Sequence, residues 1–435
     1  MSASVHASRS ITRSETRPLL HRILKNFFSW FGLRIGPAQS HRNHHHSMNS
    51  SSSGRKYSLS LPRDYIRRRR AHRRIANFIL IPTLSVVAAY IIVHQSTSPA
   101  FSLQHAAHSQ GETAPVTEDK QPPTPTGEYK VADGLLPVEE VPDIVLHDSK
   151  RNKDLHVRIF YPSASGKYPV IVFSHGAGGS QSCCEALTRH WASYGYATLQ
   201  PTHEDSTVQR RNAGEEDIRF LRAVNEALKK PALWESRPLD VSFLLDSLPA
   251  LGNRVPGLVG RIDANRIGVG GHSMGAFTAD AIAGALVDLP SHPATSFEDA
   301  RVKAVLMLSP QGPGEFGLTD HSWDNVSLPL LSVTGSLDSA ANRQGPDWKK
   351  IPFERSQPGN KYHLFIEGAN HMSFIGAQTL LRAHPAQGEA ILGYTNSASL
   401  AFWDAYLKND DSAKRYLQSD ALATSSHGAA KLLRR

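Results

Sequence analysis

Ser273 stands in Gly271-His272-Ser273-Met274-Gly275, after the apolar run Arg266-Ile267-Gly268-Val269 and at the head of a second apolar stretch. A serine hydroxyl becomes a nucleophile where a base removes its proton. It reaches a substrate from a tight strand-to-helix turn, with small residues two before and two after it. The five residues alone are a weak signal. The strand–turn–helix context lifts them above a glycine-rich turn that forms no covalent bond. Upstream, an apolar run ending at Phe173 leads into Ser174-His175-Gly176-Ala177-Gly178-Gly179-Ser180. Acyl transfer needs two backbone N–H donors aimed at the developing oxyanion, one after the nucleophile and one from such a loop. Met274 and Ala177 are the candidates for this oxyanion hole. His175 is expected to brace the loop rather than act as a base. A phosphate-binding loop is disfavoured, because the Lys-Ser/Thr of a P-loop and the spacing of a dinucleotide fingerprint are both missing.

On this scaffold a carboxylate and then a histidine should follow the nucleophile in chain order. Asp338 lies just beyond the apolar run Leu328 to Thr334. His371 follows the next run, Tyr362 to Ile366, within Glu367-Gly368-Ala369-Asn370-His371-Met372-Ser373-Phe374. His371 would take the serine proton and return it to the leaving group, while Asp338 fixes its tautomer. His363 sits inside a strand pattern, and His384 and His427 lie far beyond the turn. Asp320, Asp324 and Asp347 follow no strand so directly. Ser273, Asp338 and His371 are the expected catalytic set.

These residues must be positioned by a sheet. Ile144 to His147 and Leu155 to Tyr161 read as a hairpin. Short apolar runs then alternate with helical patterns at Cys184 to Tyr194, Ile218 to Leu228, Val241 to Leu248 and Met274 to Leu286. An antiparallel start followed by βαβ units predicts an α/β fold, with a mostly parallel central sheet and helices on both faces. Ligands bind such sheets at the carboxyl ends of the strands, where the motifs fall.

The rest of the chain divides by charge. Residues 1–100 hold 16 of the 48 Lys and Arg against two acids, or +14, while the other 32 bases face 37 acids, or −5. The portion able to build a core is therefore mildly acidic, which argues against nucleic-acid binding. Residues 1–74 read as a basic, largely disordered segment on the cytoplasmic side. Within it, Pro18 to Ile35 has the basic amphipathic spacing of a membrane-surface helix. Residues 75–93 carry no charge and are long enough to span a bilayer. Arginines crowd before them and no Lys or Arg follows until Lys120, which predicts a transmembrane or signal-anchor helix with the remainder exported, either anchored or secreted. Residues 101–140 read as a Pro-rich linker, 141–415 as the catalytic domain and 416–435 as a tail. Cys183 and Cys184 are neighbours and are expected as two small thiols at a helix start rather than a disulfide framework.

The chain resembles one branch of the α/β-hydrolase superfamily, comprising secreted platelet-activating-factor acetylhydrolases, serine-type dienelactone-hydrolase-like esterases and bacterial polyester hydrolases. The stretches that carry the resemblance are Asp148 to Pro162, Pro169 to Ser180, Thr202 to Ser206, the Ser273 turn, Gly368 to Phe374 and Ala401 to Leu407. In the animal acetylhydrolases the acid follows the strand after the nucleophile. Here that place reads Leu308-Ser309-Pro310-Gln311, so the acid is expected at Asp338, as in the polyester-hydrolase arrangement. The resemblance implies hydrolysis of a small-molecule or lipid carboxylic ester, a phospholipid acetyl ester included, with no metal and no organic cofactor. A serine peptidase or acyltransferase on the same fold, or a catalytically silent membrane-tethered binding module, are the alternatives.

Val287 to Arg301 and Gly312 to Ser327 read as long irregular connections near the site. Leu289, Phe297, Phe316, Leu318 and Trp323 within them are expected either to line an apolar acyl pocket or to belong to the core.

Overall fold

The computed structural model describes residues 127–215, 218–375 and 385–435. The basic segment 1–74, the apolar run 75–93 and the linker up to residue 126 lie outside the described residues. Among the described residues, no helix is long and apolar enough to cross a membrane.

The strands are β1 Val138–Asp148, β2 Lys153–Pro162, β3 Tyr168–Ser174, β4 Ala197–Thr202, β5 Ile262–His272, β6 Val287–Leu289, β7 His292–Thr295, β8 Val302–Leu308, β9 Leu330–Leu337, β10 Lys361–Asn370 and β11 Ala430–Arg434. The main sheet runs β1-β2-β4-β3-β5-β8-β9-β10-β11. The β1–β2 hairpin and the β2–β4 pair are antiparallel, and the strands from β4 to β10 are parallel. From β3 the chain goes first to β4 on one side and then to β5 on the other. The carboxyl ends of β3 and β5 therefore flank the switch point, where such sheets open a crevice.

Alternation along the central strands sends side chains into two separate cores. Val170, Val172, Val269, Val305 and Met307 face one layer, and Ile171, Phe173, Leu306, Leu308 and Val333 face the other. Each such fully buried side chain contributes about 1.5–3 kcal/mol of hydrophobic stabilisation. The helices that cover the sheet are α1 Glu185–Ser193, α2 Thr207–Asn212, α3 Phe220–Ala227, α4 Pro231–Asp246, α5 Leu248–Arg254, α6 Met274–Ile282, α7 Pro346–Arg355, α8 Pro385–Leu407, α9 Asp411–Gln418 and α10 Ala421–Ser425. Every residue of α6 is buried, consistent with its lack of a polar face.

Three expectations are corrected. The linker was read to run to residue 140, but its last part is bonded to the domain. Tyr129 Oη and Lys130 Nζ both donate to Asp404, and Gly134 N–H donates to Ser193 Oγ. Residues 416–435 are no tail, because β11 pairs antiparallel with β10 from Ile366–Ala430 to Tyr362–Arg434 and covers an otherwise open edge. The connection 287–301 is not wholly irregular, since β6 and β7 form a hairpin within it. Leu289, Phe316, Leu318 and Trp323 are core residues, with Phe297 packed against that core. Cys184 caps α1 and is buried, and both cysteines are free.

Candidate active site

The parallel register brings the strand ends level. Ser174 on β3 pairs with Gly271 on β5, His272 with Leu308 on β8, and Leu308 with Val333 on β9. The residues that follow these ends therefore gather at one edge, and Ser273, Ser309, Asp338 and His371 are among them.

Ser273 has φ 55° and ψ −122°, left-handed for a residue with a Cβ, and its N–H donates to Leu308 O at 2.9 Å. Such a conformation costs about 1–3 kcal/mol and persists only where its surroundings impose it. The flanking glycines are what make room. A Cβ on Gly271 would overlap the Gly275 carbonyl, and one on Gly275 would overlap the Ser174 carbonyl. Ser273 is half-buried while its neighbours are closed off, so the turn presents one hydroxyl to the surface.

Ala177 occupies a tight turn closed by Gly179 N–H to Gly176 O at 3.0 Å. Gly176 lies against the turn of Ser273, since a Cβ there would meet Ser273 Cβ at 3.4 Å. Neither the Ala177 N–H nor the Met274 N–H has an acceptor among the described residues, although Met274 is fully buried. Buried N–H groups are rarely left without a partner, which makes the Met274 donor unusual, while Ala177 is only half-buried.

The Ala177 turn rests on a buried polar network. Arg237 Nη1 donates to His175 O at 2.6 Å and Nη2 to Gly176 O at 3.3 Å. The same guanidinium grips Asp205 through Nε at 3.1 Å and Nη2 at 2.8 Å, and Asp205 Oδ2 accepts the Gly178 N–H at 2.8 Å. Residues on both sides of Ala177 are thereby anchored. Burial pushes the Asp205 carboxyl up, but the charge and hydrogen bonds of Arg237, with the Gly178 N–H, outweigh it and hold the group well below the usual carboxylate range. His175 braces the loop as expected: Nδ1–H donates to Gly176 O at 2.7 Å and Nε2 accepts from His203 N–H at 3.0 Å. Burial, with the Arg237 charge, keeps it neutral.

Beneath lies a second serine, histidine and aspartate in sequence of contact. Ser174 Oγ is 2.9 Å from His203 Nε2, and His203 Nδ1 is 2.8 Å from Asp240 Oδ2. All three are closed to solvent, and Arg151 and Lys153 also hold Asp240. Burial makes this set a brace.

Around His371 the arrangement is different. His371 Nδ1 lies 2.7 Å from Ser309 Oγ and 3.3 Å from Asp338 Oδ1. Ser309 Oγ is 2.9 Å from Asp338 Oδ1, and Thr334 Oγ1 donates to Asp338 Oδ2 at 2.8 Å. Burial raises the Asp338 carboxyl, yet the bonds from His371 and Thr334 and the charge of Lys349 bring it below its ordinary value. His272 Nε2 donates to the His371 carbonyl at 2.7 Å and fixes the backbone beside Ser273. Burial lowers His272 to about 3, so it is neutral. Lys349, from α7, is fully buried with Nζ 3.0 Å from Ser309 Oγ. Among the described residues no hydrogen bond joins Ser273 Oγ to His371.

The structure thus gathers all five expected residues, Ser273, Asp338, His371, Ala177 and Met274, at one sheet edge. Sequence reading missed Ser309, Lys349, His272 and the Arg237–Asp205 clamp. In sequence, Thr202-His203-Glu204-Asp205-Ser206 stands out only as one of the stretches that carry the resemblance. Ser309 carried a signal, because it occupies the alternative acid position.

Comparison with known proteins bears on the fold and on sequence resemblance. A family profile described as Chlorophyllase matches residues 127–290. Platelet-activating factor acetylhydrolase from Cavia porcellus is 25% identical over 295 residues, covering 58% of this chain and 62% of that protein. Cutinase est2 from Thermobifida alba is 25% identical over 218 residues, covering 49% of this chain and 56% of the relative. The chain therefore spans less than two thirds of either relative. A ferulic acid esterase from Streptomyces cinnamoneus superposes with a TM-score of 0.51 at 20% identity, covering 71% of this chain and all of that one. The chain has the α/β-hydrolase fold, and in sequence it resembles the acetylhydrolase and cutinase branch of that superfamily.

Proposed function

We propose that the chain is a serine hydrolase that cleaves carboxylic esters through an acyl-enzyme. The observation that carries this reading is the strained Ser273 turn beside two unused N–H groups, with Asp338 and His371 following β9 and β10 at the same ends of the parallel strands. In the first half-reaction Ser273 Oγ bonds to the ester carbonyl carbon, and its proton passes to His371 Nε2. The carbonyl oxygen becomes an oxyanion held by the Ala177 and Met274 N–H groups. Collapse breaks the carbon–alkoxy bond, and His371 returns the proton to the departing alcohol. Water then repeats the sequence on the acyl-enzyme, freeing the acid and Ser273. Asp338 stabilises the imidazolium formed in each half.

The relatives' names, acetylhydrolase, cutinase and esterase, support ester over amide cleavage. The uncharged run 75–93 behind an arginine cluster supports action outside the cytoplasm, and sequence alone supports an anchor there. Two serines with histidine and aspartate partners make a direct test available. Ser273→Ala should abolish both p-nitrophenyl-ester turnover and fluorophosphonate labelling, while Ser174→Ala should keep the label. Labelling that survives Ser273→Ala, or depends on Ser174, would overturn the assignment. A panel of esters graded by acyl length then sets the substrate class.

A further inference from the structure

Lys349 belongs to none of the motifs, yet its ammonium is sealed behind the site. Nζ lies 3.0 Å from Ser309 Oγ, 3.3 Å from Pro310 O and 3.6 Å from Asp338 Oδ1, and neither Lys349 nor Asp338 is exposed to solvent. We propose that Lys349 is a positioning residue, the resident counter-ion of Asp338 that orients the Ser309 hydroxyl and so sets the tautomer of His371. This rests on the functional reading above.

Hydrogen-bond accounting leads to it. Ser309 has one hydroxyl proton and two lone pairs, and Lys349 can only donate to it. Ionised Asp338 can only accept, so Oδ1 at 2.9 Å takes the hydroxyl proton. The remaining lone pair faces His371 Nδ1 at 2.7 Å, which must then carry a proton. Nε2 is left as the acceptor, the state a general base requires.

Charge accounting agrees. A fully buried carboxylate needs an opposite charge nearby. His371 supplies one only while protonated, whereas the Lys349 ammonium stands beside Asp338 in the resting state; burial lowers it from the ordinary lysine value, and Asp338 and Glu315 offset part of that. The same ammonium offsets part of the pull of Asp338 on an imidazolium at His371. Other titratable groups face this cluster among the described residues. His272, at the end of β5, is neutral; Glu315, between β8 and β9, faces Lys349 and is raised by burial. Neither replaces the ammonium.

The test is the pH profile of kcat/KM on a p-nitrophenyl ester for the wild type, Lys349→Met, Lys349→Gln and Lys349→Arg. The acid limb should move to higher pH by about one unit in the Met and Gln variants, which lose the charge. It should return towards the wild-type position in the Arg variant. The position of a limb does not depend on how much protein is folded, so a partly unstable variant still decides the matter. An unmoved limb in both uncharged variants, or an equal shift in Lys349→Arg, overturns the inference alone. A wild-type chain without ester turnover overturns the functional reading, and this inference with it.

Discussion

Ser309 Oγ lies 2.7 Å from His371 Nδ1, nearer than the 3.3 Å that separates this nitrogen from Asp338 Oδ1. The hydroxyl bridges His371 and Asp338. Ser309 directly follows the last residue of β8. A left-handed backbone at Ser309, φ 53°, turns it out of the line of the strand.

Replacing this bridge gives a first prediction. Ser309→Ala leaves His371 with one longer bond to Asp338 and deprives Lys349 of an acceptor. A hydrogen bond to a charged partner is worth about 1.5 kcal/mol, so kcat should fall roughly tenfold with KM little changed. Steady-state kinetics on an ester substrate would show it, and an unaltered kcat would mean that Asp338 orients His371 unaided.

The clamp under the oxyanion loop can be tested separately. Asp205→Asn leaves the buried Arg237 guanidinium without its counter-charge, a loss of about 3 kcal/mol or more in stability. The loosened Ala177 N–H should also lower kcat more than it raises KM, because in the proposed mechanism that donor acts on the developing oxyanion. Thermal melting and kinetics together check this. A stable variant with wild-type kcat would show that the loop holds its shape without the clamp.

Asp280 offers a pH-dependent prediction away from the site. It lies buried in α6 with Trp323 Nε1–H donating to Oδ2 at 2.6 Å, and Oδ1 has no partner among the described residues. Burial raises its carboxyl from 3.8 to about 7, and the Trp323 bond offsets only part of that. The unfolded chain therefore loses this proton near pH 4 while the folded chain keeps it. Stability attributable to Asp280 is complete below pH 4, declines as pH rises and levels off above pH 7, a total of roughly 4 kcal/mol. In Asp280→Asn this decline should vanish, so the melting temperature of the variant should gain on the wild type from pH 4 to pH 8. Parallel curves would show that Asp280 titrates normally.

Much of the fold was legible because its signals are local. Apolar runs of strand length alternating with helical patterns announce a parallel sheet, and the glycines around Ser273 report a turn that admits no Cβ at either position. The chain order Ser273, Asp338, His371 was readable for the same reason, each following a strand. The domain edges were less so. Residues 127–140 look like linker in composition, and 416–435 look like a polar ending, yet both are held by partners far away in sequence.

By itself, then, the sequence determined the sheet, the strained serine turn and the residues that follow each strand, since these depend on neighbours a few positions apart. Tertiary structure alone decided which polar groups share a dry space. Lys349 and Lys350 are adjacent and alike in sequence, but one is sealed against Asp338 while the other pairs with Glu354 at the surface at 2.9 Å. Ser174, His203 and Asp240 have the contact order of a catalytic set, and only their burial makes them a brace. A side chain's chemistry depends on its solvent and its charges, and both are fixed only when distant segments close around it.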